Sequence, residues 1–260
     1  MHQLIDTCSI DAVTWREDNF FVDRKRVSAI AERILKENIR IRWHADCRIE
    51  DVCRYDDDFL DLLKRSGCHT LTLGAESGSN AVLKHINKGI TREQILEARD
   101  RLTRHGIRQN YHFMLGFPDE TEEDIRQTIE LMGELMRKNP FFGEICGPSL
   151  YTPYPGTPLY DECLLRGFAP PDSLEGWVDM DWYSLHLPWM TAKRRKTVED
   201  IAWNVMGMGQ RGARTYFKWK FHLLSRWRIH IPCFERNIYL RLKKEGKRRR
   251  ISGPGAMADS

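Results

Sequence analysis

Between Ile10 and Tyr151 the chain alternates short apolar runs with stretches whose apolar residues recur at helical spacing. Residues 10–15, 39–45, 70–73, 108–115 and 145–151 have strand character. After the first run, Val27, Ile30, Ala31, Ile34 and Leu35 form one helical stripe. Aspartates at the start of a helix over residues 57–65 suit the positive end of its dipole, and Gly67 suits its far end. Thr91 with Gln94 predicts a capping box for a helix that closes near His105 and Gly106. Thr121 with Asp124 opens another, carrying Ile125, Ile129, Leu131, Met132 and Leu135. Strands separated by single helices require right-handed crossovers, and these build a parallel sheet. Such sheets bind ligands at the C-terminal ends of their strands.

Four signatures fall at that edge: Glu17-Asp18-Asn19-Phe20, Gly74-Ala75-Glu76-Ser77-Gly78, Gly116-Phe117-Pro118-Asp119-Glu120-Thr121 and Tyr154-Pro155-Gly156-Thr157-Pro158. In the second, glycines permit a sharp turn and a close ligand approach. A carboxylate beside a hydroxyl, Glu76 with Ser77, suits the two hydroxyls of a ribose; the competing reading is a turn with a capping serine. The acids Glu17 and Asp18 suit an ammonium group, or else form an ordinary turn. In the third signature, Asp119 and Glu120 are read as helix-capping acids rather than catalysts. Arg48 follows the second strand and needs an anionic partner, either a ligand carboxylate or a surface acid. His44, His69 and His112 lie in strands without the paired spacing of metal ligands, and no metal site is expected. There is no phosphate loop, dinucleotide fingerprint or serine-hydrolase elbow.

The order of these signatures resembles the radical S-adenosylmethionine (SAM) superfamily, especially its cobalamin-associated subgroup, over roughly residues 10–160. The resemblance implies an α/β fold: a partial parallel (β/α)6-type barrel lacking its first βα unit, followed by C-terminal helices. It implies that Glu17 and Asp18 meet the SAM amino group. Gly74, Glu76 and Ser77 would meet its ribose, and Met114, Leu115 and Gly116 would line its adenine. Arg48 would meet a SAM carboxylate or the substrate. Family cofactors are SAM and a [4Fe–4S] cluster, with cobalamin held by a domain upstream of this region. The cluster is held by a Cys-x-x-x-Cys-x-x-Cys loop, and no such triplet occurs in the sequence. The expectation is therefore the C-terminal portion of a radical SAM enzyme, inactive alone. The alternative is a non-catalytic binding or partner subunit that works through its basic C-terminal helices. Implied partners are a small-molecule or lipid-like substrate and the upstream half of a split protein.

Composition narrows the rest. At 41% hydrophobic and 30% charged residues, the 260-residue chain reads as globular. Seven cysteines, an odd number without paired spacing, argue against a disulfide framework. No signal-peptide pattern and no membrane-spanning run are visible, so a cytoplasmic protein is expected, with peripheral membrane contact left open. The expected division is 1–160 for the barrel, 161–245 for a covering segment with basic aromatic helices, and 246–260 for a disordered tail. Helices are predicted at about 192–210, 212–229 and 234–245. Trp203, Tyr216, Phe217, Trp219, Phe221 and Trp227 are interleaved there with cations. Packing on the barrel, a membrane surface and nucleic acid are the readings of that pattern, nucleic acid being the least expected.

Overall fold

A computed structural model describes residues 1–17, 19–180, 185–208 and 214–227. The expected helix near 234–245, the tail and Asp18 lie outside the described residues. Five strands, β1 (Ala12–Thr14), β2 (Arg42–Cys47), β3 (Cys68–Glu76), β4 (Arg108–Leu115) and β5 (Phe142–Leu150), form one sheet in sequence order. Every neighbouring pair is parallel. The partial parallel barrel expected from the sequence is thus the observed architecture.

The connections are richer than single helices. α1 (His2–Cys8) precedes β1, and α2 (Arg24–Lys36) links β1 to β2. Two helices, α3 (Ile49–Arg54) and α4 (Asp57–Arg65), join β2 to β3. Two more, α5 (Asn80–His85) and α6 (Arg92–Arg104), join β3 to β4. α7 (Glu122–Met136) returns the chain to β5, and α8 (Pro158–Leu165), α9 (Ala192–Gly207) and α10 (Arg214–Trp227) follow. The missed α3 and α5 span six residues each, too short to display a helical period.

Local chemistry accounts for the helix starts. Asp23 accepts from the amides of Lys25 and Arg26, and Asp56 from that of Phe59. The predicted Thr91–Gln94 capping box is formed, and Thr121 and Asp124, read as a helix start, form a second. Thr157 caps α8, with Pro158 in its first turn. Each such cap is worth about 1 kcal/mol.

The sheet has two unlike faces. In β4, Gln109, Tyr111, Phe113 and Leu115 are buried, while the alternate positions Asn110, His112 and Met114 are not. β2 repeats this, with Trp43, Ala45 and Cys47 buried and His44 and Asp46 more open. The apolar face meets the helices. One hydrophobic cluster runs from Phe20 through β2–β5 and α4, α6 and α7 to Val198, Phe217 and Phe221. The other face is polar and forms the inside of the partial barrel.

Candidate functional site at the strand ends

The C-terminal edge of the sheet holds two adjoining cavities. One, of about 370 Å³, is lined by residues from all of β2–β5, among them Asp46, Arg48, Gly74, Glu76, Lys88 and His112. The other, of about 470 Å³, is lined by Glu76, His85, Phe117, Tyr151 and the start of α8. Glu76 and Met114 belong to both walls and form the ridge between them.

Glu76 is placed by three local features. β3 continues through Gly74-Ala75-Glu76 instead of ending at Leu73, because the core-facing apolar alternation of Leu71 and Leu73 persists in buried Ala75. The pairing with β4 then slips: Gly74 faces His112, but Glu76 faces Phe113, leaving Ala75 as an extra residue. Bulges of this kind re-aim a side chain at a sheet edge. Finally, Glu76 itself sits at φ 59°, a left-handed conformation unusual outside glycine. The expectation that the glycines of this signature supply the turn is corrected. Their contribution is space.

A Cβ on Gly74 would stand 2.7 Å from Glu76 Oε1 and 3.0 Å from Lys88 Nζ. In the absence of that carbon, Lys88 donates to Glu76 Oε1 at 2.9 Å directly over the strand. A Cβ on Gly78 would lie 2.4 Å from the Gln127 carbonyl, so this glycine brings the turn against α7. Ser77 belongs to that same contact. Its hydroxyl lies 3.0 Å from that of Thr128 and accepts from the Ser79 amide, fully buried. The geometry thus brings Gly74, Glu76, Arg48 and Met114 to the cleft and turns Ser77 into the packing behind it.

The remaining sequence candidates fall elsewhere. Glu17 makes a two-pronged ion pair with Arg26, at 2.7 and 3.2 Å, and neither cavity includes it. Its neighbour Phe20 is core, stacked on Trp15 at 5.1 Å. The Arg48 side chain is half exposed and pairs with Glu50. Leu115 is fully buried.

Gly116, at φ 91°, turns the chain beneath the covering segment. Its amide donates to Glu120 Oε2 at 2.7 Å, and its carbonyl accepts from Trp189 Nε1 at 3.0 Å. Glu120 is buried, with Oε1 unpartnered and Arg194 of α9 3.2 Å from Oε2. Burial raises its carboxyl to about 7 despite the Gly116 amide and Arg194. Asp119 lies outside and pairs with Arg166.

Lys88, Asp46, Thr72 and Ser149 were not singled out by the sequence, and His112 was weighed only as a metal ligand. The inner-face alternation of β2 and β4 carries a signal for Asp46 and His112. Nothing in sequence spacing reveals that Lys88, in the turn between α5 and α6, folds back twelve residues. His44 Nε2 lies 2.7 Å from the Thr72 hydroxyl on this inner face.

Residues 9–132 match the family model of the radical SAM superfamily. The chain is 33% identical over 155 residues to an uncharacterized methyltransferase of Pyrococcus horikoshii, covering 60% of this chain and 32% of that protein. It is 30% identical over 150 residues to bacteriochlorophyllide d C-12(1)-methyltransferase of Chlorobaculum tepidum, covering 57% and 31%. Among solved structures, the radical SAM methyltransferase TsrM of Kitasatospora setae, with cobalamin and a [4Fe–4S] cluster bound, aligns with a TM-score of 0.52. That alignment is at 19% identity and covers 64% of this chain and 30% of that one, a likeness of fold. The sheet is a partial parallel barrel of the kind seen in radical SAM proteins. Residues 9–132 thus resemble the radical SAM superfamily, and the chain spans about a third of the length of these curated relatives.

The family's cofactors are SAM and a [4Fe–4S] cluster, and the TsrM structure holds cobalamin beside its cluster. The cleft fits a nucleoside: a carboxylate held in place by an ammonium stands over a strand position that has no Cβ. The described cysteines do not fit the cluster. Among the described residues no three His, Cys, Asp or Glu side chains converge as a ligand set. Thiolates are required, yet burial pushes the Cys53, Cys146 and Cys163 thiols up to about 11. Burial also raises the Cys47 and Cys68 thiols.

Proposed function

We propose that this chain provides the nucleoside-binding wall of a radical SAM enzyme and does not cleave SAM by itself. The observation that carries the reading is the Glu76–Lys88 pair over Gly74, set at the ridge between two cavities. Glu76, oriented by Lys88, accepts hydrogen bonds from the ribose hydroxyls. Met114 offers an apolar surface beside it for the base, and Gly74 leaves room for close approach. Arg48, shared with Glu50, lies at the rim where a ligand carboxylate would compete for it. SAM, when bound, supplies the activated carbon–sulfur bonds on which the family's chemistry depends. These side chains bind and orient it.

The first cavity is of small-molecule size, and its wall mixes Asp46, Arg48, Lys88 and His112. We read it as the compartment of a compact polar substrate. Three thiolates from outside residues 1–260 are what this reading requires. The second reading, a non-catalytic partner subunit, is favoured by the lack of a cysteine triplet.

Calorimetric titration of the 260-residue chain with S-adenosylhomocysteine tests the binding role. Binding is expected, and Glu76→Gln should weaken it about tenfold or more, as loss of a charge-assisted hydrogen bond does. Unchanged affinity in that variant would remove Glu76 from the site. Anaerobic incubation of the chain with iron, sulfide, SAM and a strong reductant should yield no 5′-deoxyadenosine. Its formation would overturn the assignment of an incomplete catalyst.

A further inference from the structure

α10 has two faces that do different work. Phe217, Lys220 and Phe221 point inward and are buried, with Leu224 partly covered beside them. The opposite flank carries Thr215, Lys218, Trp219, His222 and Arg226, all exposed. Residues 215, 219, 222 and 226 recur at spacings of three and four and therefore share one stripe. Trp219 is 53% exposed and Tyr216 43%, large values for side chains whose removal from water is strongly favourable. Their rings lie 6.4 Å apart at 31° to one another, and Lys220 Nζ sits 5.3 Å from the centre of the Tyr216 ring. The two aromatics thus form a set patch. α10 contains no aspartate or glutamate, so its own flank offers Lys218 and Arg226 no counter-charge.

We infer that this flank of α10 docks on an anionic lipid surface. Tryptophan and tyrosine place an apolar ring at headgroup depth while keeping a polar atom in water. Lysine and arginine beside them reach lipid phosphates with their long stems along the ring faces. The inference is independent of the nucleoside cleft. The shape of the flank favours lipid over single-stranded nucleic acid. Single-stranded nucleic acid is held in a groove that tracks its backbone over an aromatic floor. The α10 residues instead protrude from the convex side of a helix whose other side is buried, a shape suited to a broad, deformable surface. No described helix is long and apolar enough to cross a membrane, so the contact would be adsorption. The sequence that follows, through residue 250, holds Arg228, Arg236, Arg241, Lys243, Lys244 and Lys247 to Arg250 against Glu235 and Glu245, a net positive charge.

The test is flotation of the 260-residue chain with vesicles of phosphatidylcholine alone or with about a third phosphatidylglycerol. Binding to the anionic vesicles only is expected, with loss at high salt. Lys218→Ala combined with Arg226→Ala should weaken it about tenfold. Trp219→Ala should weaken it severalfold. These positions are exposed, so the circular dichroism spectrum should stay unchanged. Thr215→Glu, which adds an acid to the stripe, serves as a second variant and should also weaken binding. Equal binding by all variants would assign adsorption to residues beyond α10 and overturn the inference. So would absence of vesicle binding, or binding to a single-stranded RNA oligonucleotide without vesicle binding.

Discussion

Replacing Glu120 with glutamine should make stability less dependent on pH while leaving the fold intact. Glu120 is the buried acid that closes the Gly116 turn, and its carboxyl stands near 7 against an ordinary 4.5. The unfolded chain therefore loses this proton before the folded one does. Below about pH 4.5 both states hold the proton and the group contributes nothing. Between 4.5 and 7 the folded state binds more protons than the unfolded state, so stability falls as pH rises. Above 7 the full penalty is present, about 3 kcal/mol from a shift of this size. Glutamine keeps the acceptor for the Gly116 amide but cannot ionise. The two proteins should match near pH 4.5, and the Glu120→Gln variant should lead by about 3 kcal/mol at pH 8. The assay is urea unfolding followed by circular dichroism at several pH values, read as the difference between the two proteins. Parallel pH profiles would refute the argument. A variant less stable than the parent at pH 8 would mean that the Arg194 contact outweighs the cost of burial.

Gly74→Ala should fold but bind S-adenosylhomocysteine about tenfold more weakly, because its Cβ displaces the movable ends of Glu76 and Lys88; calorimetry checks this. Ser77→Ala should do the reverse. It should cost roughly 1–3 kcal/mol in urea unfolding by leaving Thr128 and the Ser79 amide without their buried partner, with affinity unchanged.

The sheet was legible because buried strands and amphipathic helices write their periods directly into residues such as Tyr111-His112-Phe113-Met114. The capping boxes were legible for the same local reason: Thr91–Gln94 and Thr121–Asp124 complete themselves within four residues. The cleft was legible only as an edge. Ser77 looks like a ribose ligand beside Glu76, but it follows the end of β3 and is held by Thr128 of α7 and the Ser79 amide. Glu17 is consumed by Arg26, whose approach depends on the entry angle of α2. Lys88, Trp189 and Arg194 reach the strand ends from turns and helices that no local pattern ties to them. Distances set by the whole fold chose these partners.

The unlike faces of the sheet carry a consequence for how the protein tolerates change. A slip of one residue in β4 would exchange its two faces. Tyr111, Phe113 and Leu115 would enter the cleft, and Asn110, His112 and Met114 would be pressed into the helix-facing core beside α6. Misfolding and loss of the site are then the same event, so pairing errors here are excluded by the core itself. Substitutions at the inner positions, in contrast, leave the helix-facing side of every strand untouched. The cleft can accept new side chains, and with them new ligands, with little disturbance of the framework that holds them.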